Sequence, residues 1–245
     1  MRTQLEGTVI LVTGGCGSVG RAVIEALTAS GATPVSLDLK AAFNGTTEAE
    51  VFPVDVGNRS AVIELVEHIH SYHRRIDGLV NCAAVYGELG RHPVTEIPES
   101  DWDRCMTVNL KGVWNCCCAV IPHMRRAHSG SIVNIASAAA LYGMPYAAHY
   151  VSSKSALMGL TKSLARELGQ DNIRVNAVAP SAIDNDATRE FFGDQAGEAF
   201  VKILRAQAIQ KPITVDDVAE AVTFFLSDSS KMITGQVLSV CGGSM

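Results

Sequence analysis

The sequence predicts an α/β protein built on one doubly wound parallel sheet, and three observations carry that expectation. Short, β-branched apolar runs alternate from the start with longer segments whose apolar residues recur at helical spacing. The short runs are nearly continuous in apolar residues rather than alternating, so both faces of the sheet must be covered, as they are when parallel strands are joined by crossover helices. A glycine cluster joins the first run to the first periodic segment, as in a βαβ unit.

In order, residues 8–12 form a short β-branched strand and 19–29 an apolar-periodic helix stopped by Ser30-Gly31. Residues 33–37 and 51–54 read as the next strands, Asn58 caps a helix running to about Arg74, and 78–82 is another short buried strand. Ser100 is expected to cap a long helix through Cys118 toward His123. A strand at 131–135, a helix at 150–168 and a strand at 173–178 ended by Pro180 follow. Thr214 then caps a helix to Leu226, and 236–240 closes the set. The rhythm breaks between 181 and 213, where Phe191, Phe192, Phe200, Ile203 and Leu204 stand at helix-like spacings. Long excursions of this kind tend to be lids, so the expectation is one domain over residues 1–245 with a substrate-binding lid at about 181–213.

At 245 residues one sheet can bury a full core without splitting into domains. Charged residues make up 18% and the formal net charge is -5, so there is no basic field for nucleic acid or an anionic membrane surface. No apolar run approaches the roughly 20 residues of a membrane helix. The polar stretch from Met1 to Gly7 leaves no room for the apolar core of a secretory signal, so a cytoplasmic location is expected. Seven cysteines, none in a C-x-x-C pair, are expected to be reduced. Cys116, Cys117 and Cys118 point about 100° apart around a helix and cannot converge on one ion; they read as small buried residues, and no metal site is expected.

Thr13-Gly14-Gly15-Cys16-Gly17-Ser18-Val19-Gly20 lies between a strand and a helix, the setting in which glycines let the backbone approach a pyrophosphate met by helix N-terminal N–H groups. Asp38 ends the second strand, eighteen positions after Gly20, where a carboxylate can accept from ribose hydroxyls and repel a 2'-phosphate. NAD is therefore expected over NADP, with Lys40 as the nearby countercharge. Asp55 is open to two readings, an acceptor for an adenine amino group or an Asx-turn with Gly57.

Tyr150 and Lys154 are four residues apart and share a helical face. A free phenol has a pKa of about 10, and a fixed ammonium beside it favours phenolate. Ser137, at the carboxyl end of a strand and thirteen residues upstream, is placed to hydrogen-bond a carbonyl oxygen together with Tyr150. Together with Asn109 in Val108-Asn109-Leu110-Lys111-Gly112, the glycine loop and Asp38, these residues make the chain resemble the short-chain dehydrogenase/reductase family over nearly all its length. Asn81-Cys82-Ala83-Ala84, Asn176-Ala177-Val178-Ala179-Pro180-Ser181 and Thr234-Gly235-Gln236 followed by Gly242-Gly243 add to the likeness.

The resemblance implies a Rossmann-like, NAD-linked enzyme interconverting a secondary alcohol and a ketone. It implies Tyr150 as general acid/base, Lys154 lowering its pKa and holding the nicotinamide ribose, Ser137 orienting substrate and Asn109 sustaining a proton relay. Cofactor contacts are expected from Gly14, Gly17, Ser18, Val19, Gly20, Asp38, Asp55, Val56, Asn81, Ala83, Tyr150, Lys154, Pro180 and Ile183. Substrate contacts are expected from Ser137, Tyr142, Tyr150 and Asn185, with Tyr86, Ala138, Met144, Tyr146, Phe191 and Phe192 as further candidate walls. His149 reads as a surface or supporting residue rather than a second base.

The chain departs from the family pattern at several points. Its T-G-x-x-G-x-x-G spacing puts Ser18 where compact members carry Gly, Ala84 and Ser181 replace common glycines, and Cys241 replaces a common Asp. Ala148-His149-Tyr150 with Ala179-Pro180-Ser181 is similar to aromatic secondary-alcohol dehydrogenases of the phenylethanol type. The same motifs fit a 3-oxoacyl-carrier-protein reductase, against which Asp38 argues, and a cofactor-sensing protein that has lost catalysis, against which Ser137, Tyr150 and Lys154 together argue. The segments 116–120 and 155–160 are apolar or small on more than one face, and the resemblance implies a homotetramer.

Overall fold

The structure, a computed structural model, describes residues 5–40 and 49–244. Seven parallel strands form one sheet in the order β3-β2-β1-β4-β5-β6-β7, where β1 is Val9–Thr13, β2 Thr33–Asp38, β3 Glu50–Pro53, β4 Gly78–Asn81, β5 Gly130–Ile135, β6 Ile173–Pro180 and β7 Val237–Val240. The first strand shows why the sequence lacks alternation. Val9 and Leu11 enter one apolar core while Ile10 and Val12 enter another on the opposite face, so neither side of the strand meets water.

Helices α1 (Ser18–Ala29) and α2 (Arg59–His73) follow β1 and β3. α3 (Glu99–Met106) and α4 (Val113–Ala127) precede β5, α5 (Ala139–Tyr142) and α6 (Ala148–Leu168) precede β6, and α7 (Asp186–Phe192), α8 (Ala196–Ala206) and α9 (Val215–Leu226) precede β7. The core on one face draws on α2, α4 and α6, and the other on α1 and α9. After β3 the chain crosses back over β1 to lay β4 on its far side, so the crossovers diverge between β1 and β4 and open a crevice at their carboxyl ends.

Asn58 caps α2 by accepting from the Ala61 N–H at 3.2 Å, and Thr214 caps α9 in a reciprocal box with Asp217. Ser100 does not cap its helix. Pro98 occupies that position with an extended backbone, and Glu99 and Asp101 place acid in the first turn, where the helix dipole favours it. Nor is the helix that follows continuous: residues Thr107–Gly112 form a π-helical segment between α3 and α4, and α4 runs through Pro122 to Ala127. β6 extends through Pro180, because a proline still offers its carbonyl, here accepting from Ala138 N at 2.9 Å. Cys116 and Cys117 are buried in the core, while Cys118 is half-buried. Among the described residues no helix is long and apolar enough to cross a membrane.

Candidate active site

A cleft of about 680 Å³ opens at the carboxyl edge of the sheet, lined by the glycine turn, the exits of β2 to β6 and the segment 181–203. Gly14 adopts φ +66°, and a Cβ there would sit 2.7 Å from Ala83 Cα. A Cβ on Gly20 would overlap the Gly14 carbonyl oxygen. The turn can follow this path only without side chains at those positions. Thr13 Oγ1 accepts from the N–H groups of Cys82 and Ala83, each at 3.1 Å, and so joins the β4 exit to the turn. Gly17 is the N-cap of α1 and provides no side-chain acceptor, and the first turn of the helix has no acid. The positive end of α1 thus faces the cleft with no side-chain cap, which suits an anionic pyrophosphate.

Asp38 lies beside this turn, its carboxylate accepting from Cys16 N at 2.9 Å and Lys40 N at 3.0 Å. Asp55 forms the Asx-turn, accepting from Gly57 N at 2.8 Å, and together with Val56 still lines the cleft. Asn115, which carried no signal in the sequence, supports this rim by donating to Val56 O at 2.9 Å. Gly14, Gly17, Ser18, Val19, Gly20, Ala83, Pro180 and Ile183 all line the cleft. Asn81 does not: it is buried and donates to Asn134 Oδ1 at 2.9 Å, binding β4 to β5 within the sheet.

Ser137, Tyr150 and Lys154 meet in the same cleft. The Ser137 hydroxyl lies beside the Tyr150 phenol and favours its ionised form. Lys154, one turn on, donates to Ile135 O at 2.7 Å, and its Nζ lies 5.9 Å from the Tyr150 ring centre. Among the chain's own groups the lysine does not set the phenol's pKa. Burial pushes Tyr150 up to about 12 against the opposing pull of the Ser137 hydroxyl, and burial holds Lys154 down at about 8. Asn109, in the π-helical segment, is fully buried and does not reach the cleft; its side chain accepts from Val85 N at 2.8 Å and donates to Val85 O at 3.1 Å. His149 is buried, not at the surface, and neither ring nitrogen has a hydrogen-bond partner.

The family model described as enoyl-(acyl carrier protein) reductase, of the short-chain dehydrogenase type, matches residues 14–245. A 3-oxoacyl-acyl-carrier-protein reductase of Thermotoga maritima is 35% identical over 98% of both chains. The D-threitol dehydrogenase of Mycolicibacterium smegmatis is 32% identical over 98% of this chain and 94% of its own. The solved structure of NAD+-bound xylitol dehydrogenase superposes with a TM-score of 0.89 at 29% identity, covering 97% of this chain and 99% of that one.

The chain belongs to the short-chain dehydrogenase/reductase family. It is accordingly an oxidoreductase of a family that uses nicotinamide cofactors and acts on small molecules.

Ser18, a departure from the short-chain dehydrogenase pattern, has a partner from the far end of the cleft. Asn185 lines the cleft and donates from Nδ2 to Ser18 Oγ of the glycine turn at 3.0 Å while its Oδ1 caps α7. Of the other expected walls, Tyr86, Tyr142, Met144 and Phe192 line the cleft. Ala138 is buried beneath it, Tyr146 stands outside it beside Arg91, and Phe191 is buried behind Tyr86. Thr188, not singled out by any motif, lines the cleft from α7 beside Tyr86.

Proposed function

We propose that this short-chain dehydrogenase is NAD-dependent and interconverts a secondary alcohol and a ketone. The observation that carries the reading is the meeting of Ser137, Tyr150 and, one turn on, Lys154 in the same cleft as the Asp38 carboxylate. The glycine turn supports the dinucleotide fit, since it brings the uncapped N-terminus of α1 to the cleft. In this reading Gly14, Gly17, Ser18, Val19 and Gly20 hold the pyrophosphate and Asp38 the adenosine ribose. Val56, Asp55 and Ala83 flank the adenosine side, and Lys154, Pro180 and Ile183 the nicotinamide side. The bound nicotinamide would supply the hydride chemistry and, when oxidised, a positive charge.

The chain's own groups do the rest. Ser137 and Tyr150 share the substrate oxygen, Tyr150 takes or gives its proton, and Lys154 as a cation favours phenolate once further positive charge offsets the burial of the phenol. Asn109 acts through the backbone it holds. Tyr86, Tyr142, Met144 and Phe192 give the substrate end an aromatic wall, which favours a secondary alcohol carrying an aryl or alicyclic group. A 3-oxoacyl-carrier-protein substrate is the second reading, favoured by the Thermotoga maritima relative and opposed by Asp38. The segment 181–213, with α7 and α8, is proposed as the substrate lid. Exposed small residues on α6, Ser155, Ala156 and Gly159, support packing into a homotetramer, and the cytoplasm is the proposed location.

The test is reduced-nicotinamide absorbance across an alcohol and ketone panel with both cofactors, run on the wild type and Tyr150→Phe. Turnover by the wild type and none by the variant, with NADH binding kept, is expected. Retained turnover in Tyr150→Phe refutes the assignment, and NADH binding without any wild-type turnover favours a cofactor sensor.

A further inference from the structure

The Tyr150 ring is held by a neighbour that the tetrad does not include. Tyr86, on the loop after β4, has its ring centre 4.7 Å from that of Tyr150. Its opposite contact is Phe191 of α7, 4.6 Å away and nearly parallel at 19°. Phe191 is itself buried and braced edge-on by Phe192 at 5.4 Å. The Tyr86 hydroxyl lies beside Thr188, one turn earlier on α7. The backbones leave no slack, because a Cβ on Gly87 would stand 2.7 Å from Ala187 O and 3.1 Å from Ala187 Cα. Tyr86 cannot rotate without displacing either α7 or Tyr150.

We propose that Tyr86 is a positioning residue, holding the Tyr150 phenol through an aromatic stack that the lid helix closes from behind. The inference rests on the function proposed above. A plain pocket wall would not need a buried ring stacked behind it. A second proton donor is disfavoured, since burial pushes the Tyr86 phenol well above its ordinary range and keeps it neutral. Phe191 does not line the cleft, so it reaches the site only through neighbours such as Tyr86 and Phe192, and the double variant below tells these routes apart. The other groups acting on Tyr150 are Ser137 from the β5 exit, Cys105 from α3, Tyr142 from α5 and Lys154 from its own helix.

Three variants separate the readings, each checked for thermal unfolding and NADH binding and compared with the wild type on one substrate. Tyr86→Phe keeps the ring stack and should lose no more than about threefold in kcat. Tyr86→Ala should lower kcat by about 100-fold, the scale of a misplaced reacting group, with NADH affinity unchanged. Because it lets water reach the phenol, it should also move the rise of kcat/KM with pH toward lower pH. Phe191→Ala should move both quantities in the same direction, and its effect should vanish in the Tyr86→Ala background. A raised KM with kcat and pH midpoint unmoved would reduce Tyr86 to a wall. Tyr86→Phe as impaired as Tyr86→Ala, or a silent Phe191→Ala, would also overturn the proposal. If the wild type turns over nothing on the panel, the proposed function falls and takes this inference with it; if the wild type is active and the variants match it, only the inference falls.

Discussion

Asp38→Asn is the perturbation that bears most directly on cofactor choice. The carboxylate sits at the half-buried rim of the cleft, its oxygens on Cys16 N and Lys40 N. Asparagine is isosteric and still accepts one of those bonds, so the turn should keep its shape. The charge is what disappears. A carboxylate and one unit of phosphate charge at a contact separation of about 4 Å repel by roughly 1 kcal/mol in water and about 4 kcal/mol at the effective dielectric of a protein surface. Relief of that repulsion should raise kcat/KM with NADP between about fivefold and about 1000-fold, and the rim position places the gain inside those limits. With NAD the variant loses a charged acceptor for the ribose, about 1.5 kcal/mol or roughly tenfold. The ratio of NADP to NAD efficiency should therefore swing by at least about 50-fold. Steady-state kinetics with one substrate and both cofactors, on wild type and variant, measures it. A wild type that prefers NADP, or a ratio that Asp38→Asn leaves in place, refutes the argument.

Lys154→Met should abolish turnover and alter the pH dependence of stability. Burial holds the folded pKa of Lys154 at about 8, below its ordinary 10.5, so between those values the unfolded chain binds more protons and wild-type stability rises with pH. Relative to the variant the wild type should gain up to about 3 kcal/mol across that window in urea unfolding, and a difference that does not change from pH 8 to 10.5 would count against a buried cation. Arg174→Leu should cost about 3 kcal/mol in the same assay. The guanidinium donates to Phe225 O at 2.6 Å, to Ser230 Oγ at 2.7 Å, and to Leu226 O and Ser227 O at 3.3 Å each, so it serves the carbonyls at the end of α9. A cost below about 1 kcal/mol would mean that water replaces it.

The parts of the site legible in the sequence are those fixed by spacing within one element or across one turn. The glycines of the first turn, Asp38 at a strand end, and Tyr150 with Lys154 one helical turn apart are all of this kind. Helix starts were legible where a side chain does the capping, as at Asn58 and Thr214, and illegible at Pro98, where a nearby Ser100 offered the more conventional cap. The π-helical segment had no signature either, because it arises from where Asn109 must reach rather than from local propensity. Contacts between distant segments were beyond reach for a related reason. Asn185 and Ser18 are 167 positions apart, and no local pattern foretells that Asn185, which lines the cleft, also bonds the glycine loop.

Asn109, expected in a proton relay, lies outside the cleft and holds backbone instead. Its amide grips both the N–H and the carbonyl of Val85, the residue next to Tyr86. The same Nδ2 donates to Ser153 Oγ at 3.3 Å, and that hydroxyl donates to the Tyr150 carbonyl at 2.7 Å. One buried side chain thus pins the two backbones that carry the rings of the stack, the loop on one side and α6 on the other. A replacement that merely filled the space would leave Val85 N–H and its carbonyl buried and unpaired, at about 1–3 kcal/mol each. The geometry of the phenol would be lost together with the stability, which makes Asn109 a residue that serves catalysis by fixing what surrounds the reaction.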